Sequence, residues 1–368
     1  MNLRAFAFFV VLILLSLSAC GPLDLAGAAG VPTSIVETDH APATDPPADA
    51  SVPTATFIPP AGGRIIFLSD RGGGRNLYSM DPLGGSLTRL VAMPVEEHSR
   101  WSPDGRRVAF VSTVNDNTDI YIANADGSGV LRITTDPSKD SSPAWSPDGT
   151  RLAFESFRNG SFDIYVINTD GSGLTPLTND AAGDSNPQWS PAGDRIVVVR
   201  NRSGGNSDIF LVRPDGSGLT SLTNDPPPTS DPVWSPDGSH IAYRTSSTDG
   251  SHQICAMNSD GSNARCLTES AKAGAPSWSP DGISLAFVAT HSTVTGIDVL
   301  NVADGTLKTL TFNVEPRSEP LWSPEGTHFV FQANVNGNME VFIVTVVTGE
   351  LFQLTFFDGF DGDPIWVR

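Results

Sequence analysis

Acidic side chains recur just ahead of the tryptophan-containing segments of this 368-residue chain. These acids are Glu96, Glu97, Asp140, Asp184, Asp231, Glu319, Asp361 and Asp363. Carboxylates gathered in one place attract a cation or a basic partner segment, because clustered like charges concentrate the potential. The alternative for each acid is local, its carboxylate capping a loop by accepting backbone N–H groups. The choice between them depends on the elements that carry the acids.

The seven tryptophans reveal those elements, because they follow one another at intervals of 44 or 45 residues. They are Trp101, Trp145, Trp189, Trp234, Trp278, Trp322 and Trp366. Repeats of this length with strand-like content are typical of propellers and repeat arrays. Four of the tryptophans open the string Trp-Ser-Pro-Asp-Gly, and Trp189 and Trp322 open close variants. Pro-Asp-Gly between apolar runs predicts a tight turn between antiparallel strands.

Each repeat contains four short strand-like segments, of which Asp163–Val166 is a third segment and Pro176–Thr178, after an Asp-Gly-Ser-Gly turn, is a fourth. The first repeat has only three, starting at Arg64, and the chain ends on a Trp366 segment with nothing after it. Three strands plus one complete a blade, with the C-terminal strand innermost, and closure removes exposed sheet edges. The sequence therefore predicts an all-β, seven-bladed β-propeller of four-stranded blades, closed by a 3+1 clasp. Innermost strands line a propeller's channel, so the acids are expected around its mouth.

These strings resemble the WD40-like PD40 repeat of TolB-like β-propellers over about residues 64–368. The resemblance implies an extracytoplasmic propeller. TolB itself has an additional N-terminal α/β domain, for which residues 20–64 offer no room, so a role in its pathway is not implied.

The N-terminus is typical of a bacterial lipoprotein signal peptide. An apolar run over residues 5–17 is short for a membrane-spanning helix, and Leu17-Ser18-Ala19-Cys20 resembles a lipobox. We expect a signal peptide at 1–19, lipidation of Cys20 and a disordered tether rich in Pro, Ala and Thr over 20–61, followed by the propeller at 62–368. An ordinary signal peptide with a chance cysteine is the alternative.

The net charge limits the classes of partner that this protein is expected to bind. The net charge of −19 argues against nucleic acid as a partner and against electrostatic attraction to anionic lipid, so the lipid on Cys20 is the expected membrane contact.

Cys255 and Cys266 are equidistant from the Asp260-Gly261 turn, and a disulfide between them is allowed in an exported protein. A strict two-residue turn would put them at a hydrogen-bonded pair, which is poor disulfide geometry; the alternative is two free thiols.

Nothing in the sequence matches a G-x-S-x-G, H-E-x-x-H or paired C-x-x-C motif, so we expect no catalytic residue, metal or cofactor. We expect a monomeric, lipid-anchored protein-interaction scaffold that binds envelope proteins through its longer loops, on the periplasmic or extracellular side. The alternative is a glycan- or small-ligand-binding propeller, including a metal-dependent polysaccharide lyase. Its nearest metal ligands would be His252 and His291, on the loops of adjacent blades.

Overall fold

The computed structural model describes residues 63–367 except 97–98, 203–204, 225–226, 248–249 and 270–271. The predicted signal peptide, Cys20, the tether and Glu97 lie outside the described residues. Within the described ranges, no helix is long and apolar enough to cross a membrane.

The described chain consists of short β-strands. They are β1 (Arg64–Ser69), β2 (Asn76–Met80), β3 (Thr88–Arg89), β4 (Arg100–Trp101), β5 (Arg107–Val114), β6 (Asn117–Asn124), β7 (Leu131–Arg132), β8 (Asp140–Trp145), β9 (Arg151–Ser156), β10 (Asp163–Asn168), β11 (Thr175–Pro176), β12 (Asp184–Trp189), β13 (Ile196–Asn201), β14 (Ser207–Val212), β15 (Thr220–Ser221), β16 (Thr229–Trp234), β17 (His240–Ser246), β18 (His252–Asn258), β19 (Arg265–Cys266), β20 (Lys272–Ala273), β21 (Ser277–Trp278), β22 (Ser284–His291), β23 (Val294–Asn301), β24 (Leu307–Thr311), β25 (Leu321–Trp322), β26 (His328–Val335), β27 (Asn338–Thr345), β28 (Leu351–Gln353) and β29 (Asp361–Val367).

These strands form seven antiparallel sheets, which are the blades of a propeller. Blade 1 has the order β29-β1-β2-β3, and blades 2 to 5 are β4–β7, β8–β11, β12–β15 and β16–β19. In blade 6 the innermost strand is split into β20 and β21, both paired with β22, and blade 7 is β25–β28. The predicted seven-bladed fold is confirmed.

Blade 1 closes the ring, because its innermost strand comes from the opposite end of the chain. β29 pairs antiparallel with β1, with Arg64 opposite Val367 and Ser69 opposite Asp361. The 3+1 clasp predicted from the ends of the repeat is therefore confirmed.

The regular spacing of the tryptophans has a physical cause at the junctions between blades. The indole N–H of Trp145 donates to the backbone carbonyl of Arg100 in the preceding blade at 2.9 Å. Trp189, Trp278 and Trp322 make the same contact with Ala144, Val233 and Ser277 at 3.1, 3.2 and 3.1 Å. Each acceptor lies directly before the preceding blade's tryptophan, so this bond ties neighbouring blades together at four junctions, whereas the indole nitrogens of Trp101, Trp234 and Trp366 have no hydrogen-bond partner among the described residues.

The Ser-Pro-Asp-Gly turns are held by their own side chains. The Ser102 hydroxyl donates to Asp104 and accepts the backbone N–H of Arg107, and Gly105 has a φ of 68°. The same bonds in the next repeat lower the pKa of Asp148 to about 2, chiefly through Ser146. These turns define what we call the tight-turn face; the opposite end of the blades is the loop face.

Candidate functional site

The acids that precede the tryptophans fall into two groups with different surroundings. Asp140, Asp184 and Asp361 stand five residues before their tryptophans, begin the innermost strands β8, β12 and β29, and are fully buried. Asp231, Glu319 and Asp363 stand three residues before theirs and are not buried. Glu96 also stands five residues ahead but is exposed. The structure therefore does not bring all of them into one solvent-facing ring.

Arginines reach the buried group from the loop after the second strand. Arg158 donates to both carboxylate oxygens of Asp140 at 3.2 and 3.4 Å, and Arg71 is ion-paired with Asp361. Burial raises the pKa of both carboxyl groups against the effect of these arginines. Such buried pairs fix the strand ends and are not available to an external ligand.

Asp184 is the least satisfied of this group. The nearest cation, the Nε of Arg200, is 3.8 Å from Oδ1, and neither carboxylate oxygen has a hydrogen-bond partner among the described residues. Burial raises the pKa of Asp184 to about 6, and the nearby Thr178 hydroxyl and Arg200 only partly offset this.

Two members of the second group, Asp231 and Asp363, sit at an irregularity of the innermost strands. Ser142, Asn186, Asp231 and Asp363 occupy equivalent positions before a proline and have positive φ between 48° and 55°. The strand register shifts at each of these points, as at a β-bulge. A bulge redirects side chains, and Asn and Asp tolerate this backbone better than most residues.

A cavity of about 570 Å³ opens at the loop-face end of the channel. Four blades line it, 1, 2, 6 and 7, and its polar side chains include Arg100, Arg317, Glu319, Gln332 and Asp363. Its size is that of a small-ligand site, and it has apolar walls as well as charges.

Glu319 is the carboxylate in this cavity without a close cation. It is exposed to the channel, and among the described residues no basic group lies within ion-pair distance of it. Asp231, by contrast, is paired with Arg244 at 2.9 Å. The surrounding protein raises the pKa of Glu319; Arg100 lowers it and Asp231 raises it further. The charges of Arg100 and Asp231, which lie on two other blades, thus act electrostatically on the Glu319 carboxyl group.

Arg100 is a site residue that sequence reasoning missed. It directly precedes Trp101, and the equivalent residues of the other blades are uncharged: Ala144, Gln188, Val233, Ser277, Leu321 and Ile365. Arg100, Leu321 and Ile365 line both this cavity and a second one on the tight-turn face, so they mark the waist of the channel. The sequence does contain a signal for this residue, because Arg100 is the one cation among the seven residues that directly precede a repeat tryptophan.

A third set of acids is purely structural. Each of them lies on the third strand of its blade, Asp298 in the middle of the strand and the others at or near its start. Each is buried and accepts a hydrogen bond from a threonine after the fourth strand or within it. The pairs are Asp119 with Thr134, Asp163 with Thr178, Asp208 with Thr223, Asp298 with Thr309 and Glu340 with Thr355. The sequence strings containing them predicted strands but not this pairing.

The two histidines considered as metal ligands each contact a residue of their own blade. His291 is 2.8 Å from Asp298, and His252 is 2.9 Å from the hydroxyl of Ser246. Across the described ranges, no three His, Cys, Asp or Glu side chains converge as a metal-binding group. These histidines therefore do not fit a shared metal site.

Cys255 and Cys266 face each other on β18 and β19 and are joined as a disulfide. The N–H of Leu267 donates to the carbonyl of Ile254, which puts the cysteines at a non-hydrogen-bonded pair of the ladder. The hydrogen-bonded placement expected of a strict two-residue turn does not occur, because Asn258 bonds across a longer turn to Ser262.

The tight-turn-face cavity measures about 490 Å³. Its lining includes Trp101, Trp278, Trp322 and Trp366, together with turn prolines such as Pro324. These four indoles are partly exposed, whereas Trp145 and Trp189 are each only 8% exposed.

Comparison with known proteins agrees with this architecture. A family model described as the TolB beta propeller domain, PD40, matches residues 95–205 and 183–273. The Tol-Pal system protein TolB of Anaeromyxobacter dehalogenans (strain 2CP-C) is 38% identical over 91 residues, covering 23% of this chain and 19% of the relative. The match thus spans about a fifth of that relative's length.

Two solved structures share the fold. TolB from Acinetobacter baumannii has a TM-score of 0.55 at 19% identity, covering 82% of each chain. An oligogalacturonate lyase in complex with manganese has a TM-score of 0.66 at 14% identity, covering 76% of this chain and 85% of the lyase. At these identities the likeness shows the fold alone. The PD40 match over residues 95–273 and the seven observed blades identify the chain as a TolB-like β-propeller of PD40 repeats.

Proposed function

We propose that this protein is a lipid-anchored, extracytoplasmic scaffold of the bacterial envelope, and that the loop-face cavity receives a segment of a partner protein. The observation that carries the proposal is the composition of that cavity. Among the described residues Glu319 has no close cation, Arg100 lies at the waist of the channel below it, and Leu321 and Ile365 supply apolar wall. A partner segment with a basic group and apolar neighbours would complement it.

The direction of the chain supports this use of the loop face. β1 starts at Arg64, opposite Val367, and Val367 is next to Trp366 on the tight-turn face. The described chain therefore enters the propeller on the tight-turn face, and the loop-face cavity lies at the opposite end of the blades from this entry.

A glycan- or small-ligand-binding propeller is the second candidate. The volume of the loop-face cavity and the fold shared with an oligogalacturonate lyase favour it. A lyase of this type would need a metal, and His252 and His291 do not fit a shared metal site. For this second candidate we therefore expect a ligand-binding protein without enzymatic activity.

Charge reversal at Glu319 tests the partner site. Glu319→Lys should weaken capture of the partner from source-cell membranes by about tenfold or more, because an attractive charge in the cavity would become repulsive toward a basic partner segment. Glu325→Lys is the matched control, since Glu325 is exposed on the tight-turn face of the same blade. Asp140 and Asp184 are unsuitable for such a test because their burial would make reversal disrupt folding. Equal capture by both variants would refute the proposed site.

Lipidation has its own test. Cys20→Ser should move the protein from the membrane to the soluble fraction and abolish incorporation of labelled fatty acid. Membrane retention with unchanged labelling would show that the anchor lies elsewhere.

A further inference from the structure

The tight-turn-face cavity is a second concave site, and the proposed function does not use it. Four partly exposed indoles line it, from blades that follow one another around the ring: Trp278, Trp322, Trp366 and Trp101. Its volume of about 490 Å³ is that of a small-molecule site. A cavity walled by aromatic rings suits a flat apolar ligand, because rings that stack bury a large area.

Two of these indoles are held in place by their own neighbours. The indole N–H of Trp322 donates to the carbonyl of Ser277 at 3.1 Å, and its ring centroid lies 4.3 Å from that of Phe329. The ring of Trp366 packs against the ring of His328, with 6.4 Å between the centroids. Walls that are fixed before binding reduce the conformational entropy lost when a ligand enters.

Arg100 is the only charged side chain, among the described residues, that lines this cavity. It lies at the waist of the channel, together with Leu321 and Ile365. Its guanidinium donates to the carbonyl of Ser99 at 3.1 Å, and no carboxylate in the described ranges lies within ion-pair distance of it. A guanidinium carries several N–H donors in a fork that matches a carboxylate, so the remaining donors can bind an anionic group.

Two acidic turns border the cavity without lining it. Asp104 accepts the hydroxyl of Ser102, and Asp281 accepts that of Ser279. These hydrogen bonds hold the pKa of both carboxyl groups below its usual value, so both are charged at neutral pH. An anion that passes these turns is attracted at the waist, and each further negative charge on it is repelled at the edge.

We propose that the tight-turn-face cavity binds a small anion with a single negative charge and a flat apolar body, such as an aromatic carboxylate. The apolar body packs between the indoles, and the carboxylate accepts hydrogen bonds from Arg100 at the waist. The acidic turns select against a second negative charge. This binding does not depend on a partner segment in the loop-face cavity, at the other end of the channel.

Equilibrium dialysis of the full chain tests this with two probes of the same shape, naphthalene-2-carboxylate and its uncharged carboxamide. The carboxylate should bind saturably and about tenfold more tightly than the carboxamide, because only the carboxylate gains charge-assisted hydrogen bonds from Arg100. Naphthalene-2,6-dicarboxylate should bind more weakly than the monoanion. Equal binding of the carboxylate and the carboxamide, or no saturable binding of either, would overturn the proposal.

Variants of the lining locate the bound probe. Arg100→Gln should reduce the affinity for the carboxylate to about that for the carboxamide, whereas Arg106→Gln, at an exposed position outside the lining, should leave it unchanged. Trp101→Leu removes an aromatic wall but no hydrogen bond to a described residue, and it should weaken the binding of both probes. Denaturation midpoints by circular dichroism identify any variant that has lost the fold.

Two results with these variants would contradict the site. Equal carboxylate affinities in Arg100→Gln and Arg106→Gln would show that Arg100 does not hold the anion. Weaker binding in Arg100→Gln with unchanged binding in Trp101→Leu would place the probe in the loop-face cavity instead.

Discussion

Arg71 and Asp361 are separated by 290 positions in the chain and form an ion pair inside the blade that closes the ring. Asp361 is fully buried, and the Arg71 guanidinium also lies over the rings of Phe67, Tyr78 and Phe357 at 5.5, 5.4 and 5.0 Å. The backbone N–H of Phe360 donates to Asp70 beside it. The C-terminal strand is therefore held by side chains as well as by its ladder.

Removing Arg71 should open this closure. Arg71→Ala leaves the Asp361 carboxylate buried without its cation, which typically costs about 3–5 kcal/mol. We expect a lower denaturation midpoint by circular dichroism, whereas Arg106→Ala, at an exposed position of a tight turn, should change it little. A midpoint for Arg71→Ala equal to that of Arg106→Ala would show that the ladder alone closes the ring.

The interblade indole bond can be isolated by comparing two tryptophans. Trp278 donates to Val233, but the indole nitrogen of Trp234 is buried without an acceptor among the described residues. Phenylalanine removes similar volume at both sites but a hydrogen bond only at Trp278. Trp278→Phe should therefore destabilise the protein by about 1 kcal/mol more than Trp234→Phe in denaturant titrations. The reverse order would mean that packing, not the bond, dominates.

Glu340 should make stability depend on pH. Burial raises the pKa of this carboxyl from 4.5 to about 7, with Asp361 adding to the rise and Arg71 opposing it. Between pH 4.5 and 7 the folded chain then holds a proton that the unfolded chain has lost, so this group's contribution to stability falls as pH rises.

The expected loss across that window is on the order of 3 kcal/mol for this group. Glu340→Gln should flatten the decline in unfolding free energy measured between pH 5 and pH 8, and Glu325→Gln, at an exposed turn, should not. A decline as steep in Glu340→Gln as in the unmodified protein would assign it to other groups.

The redox state of Cys255 and Cys266 can be measured by alkylation and mass spectrometry. Alkylation of the denatured, unreduced protein should leave the peptides containing both residues unlabelled, and prior reduction should add one label to each. Complete labelling without reductant would establish free thiols.

The sequence predicted the blades well because their signal is repeated seven times, and in four of the copies the tryptophan makes the same bond to the preceding blade. Trp145 and Trp189 show it: the position that ties adjacent blades cannot change without losing the bond to the preceding blade. The clasp followed from counting strands at the two ends.

The candidate site was less predictable because it depends on departures from the repeat. Asp361 and Asp363 are two residues apart in one strand, where simple alternation predicts the same face. The register shift in β29 instead buries Asp361 and leaves Asp363 beside the cavity.

The most direct test of the central claim is photo-crosslinking in intact source cells, with the probe in place of Arg317 at the loop-face cavity and, separately, in place of Glu325 on the tight-turn face. We predict one dominant protein partner, captured from position 317 and not from position 325, and identified by mass spectrometry. If position 317 captures no protein beyond those captured by a tether lacking the propeller, the protein does not act as an envelope scaffold through this face.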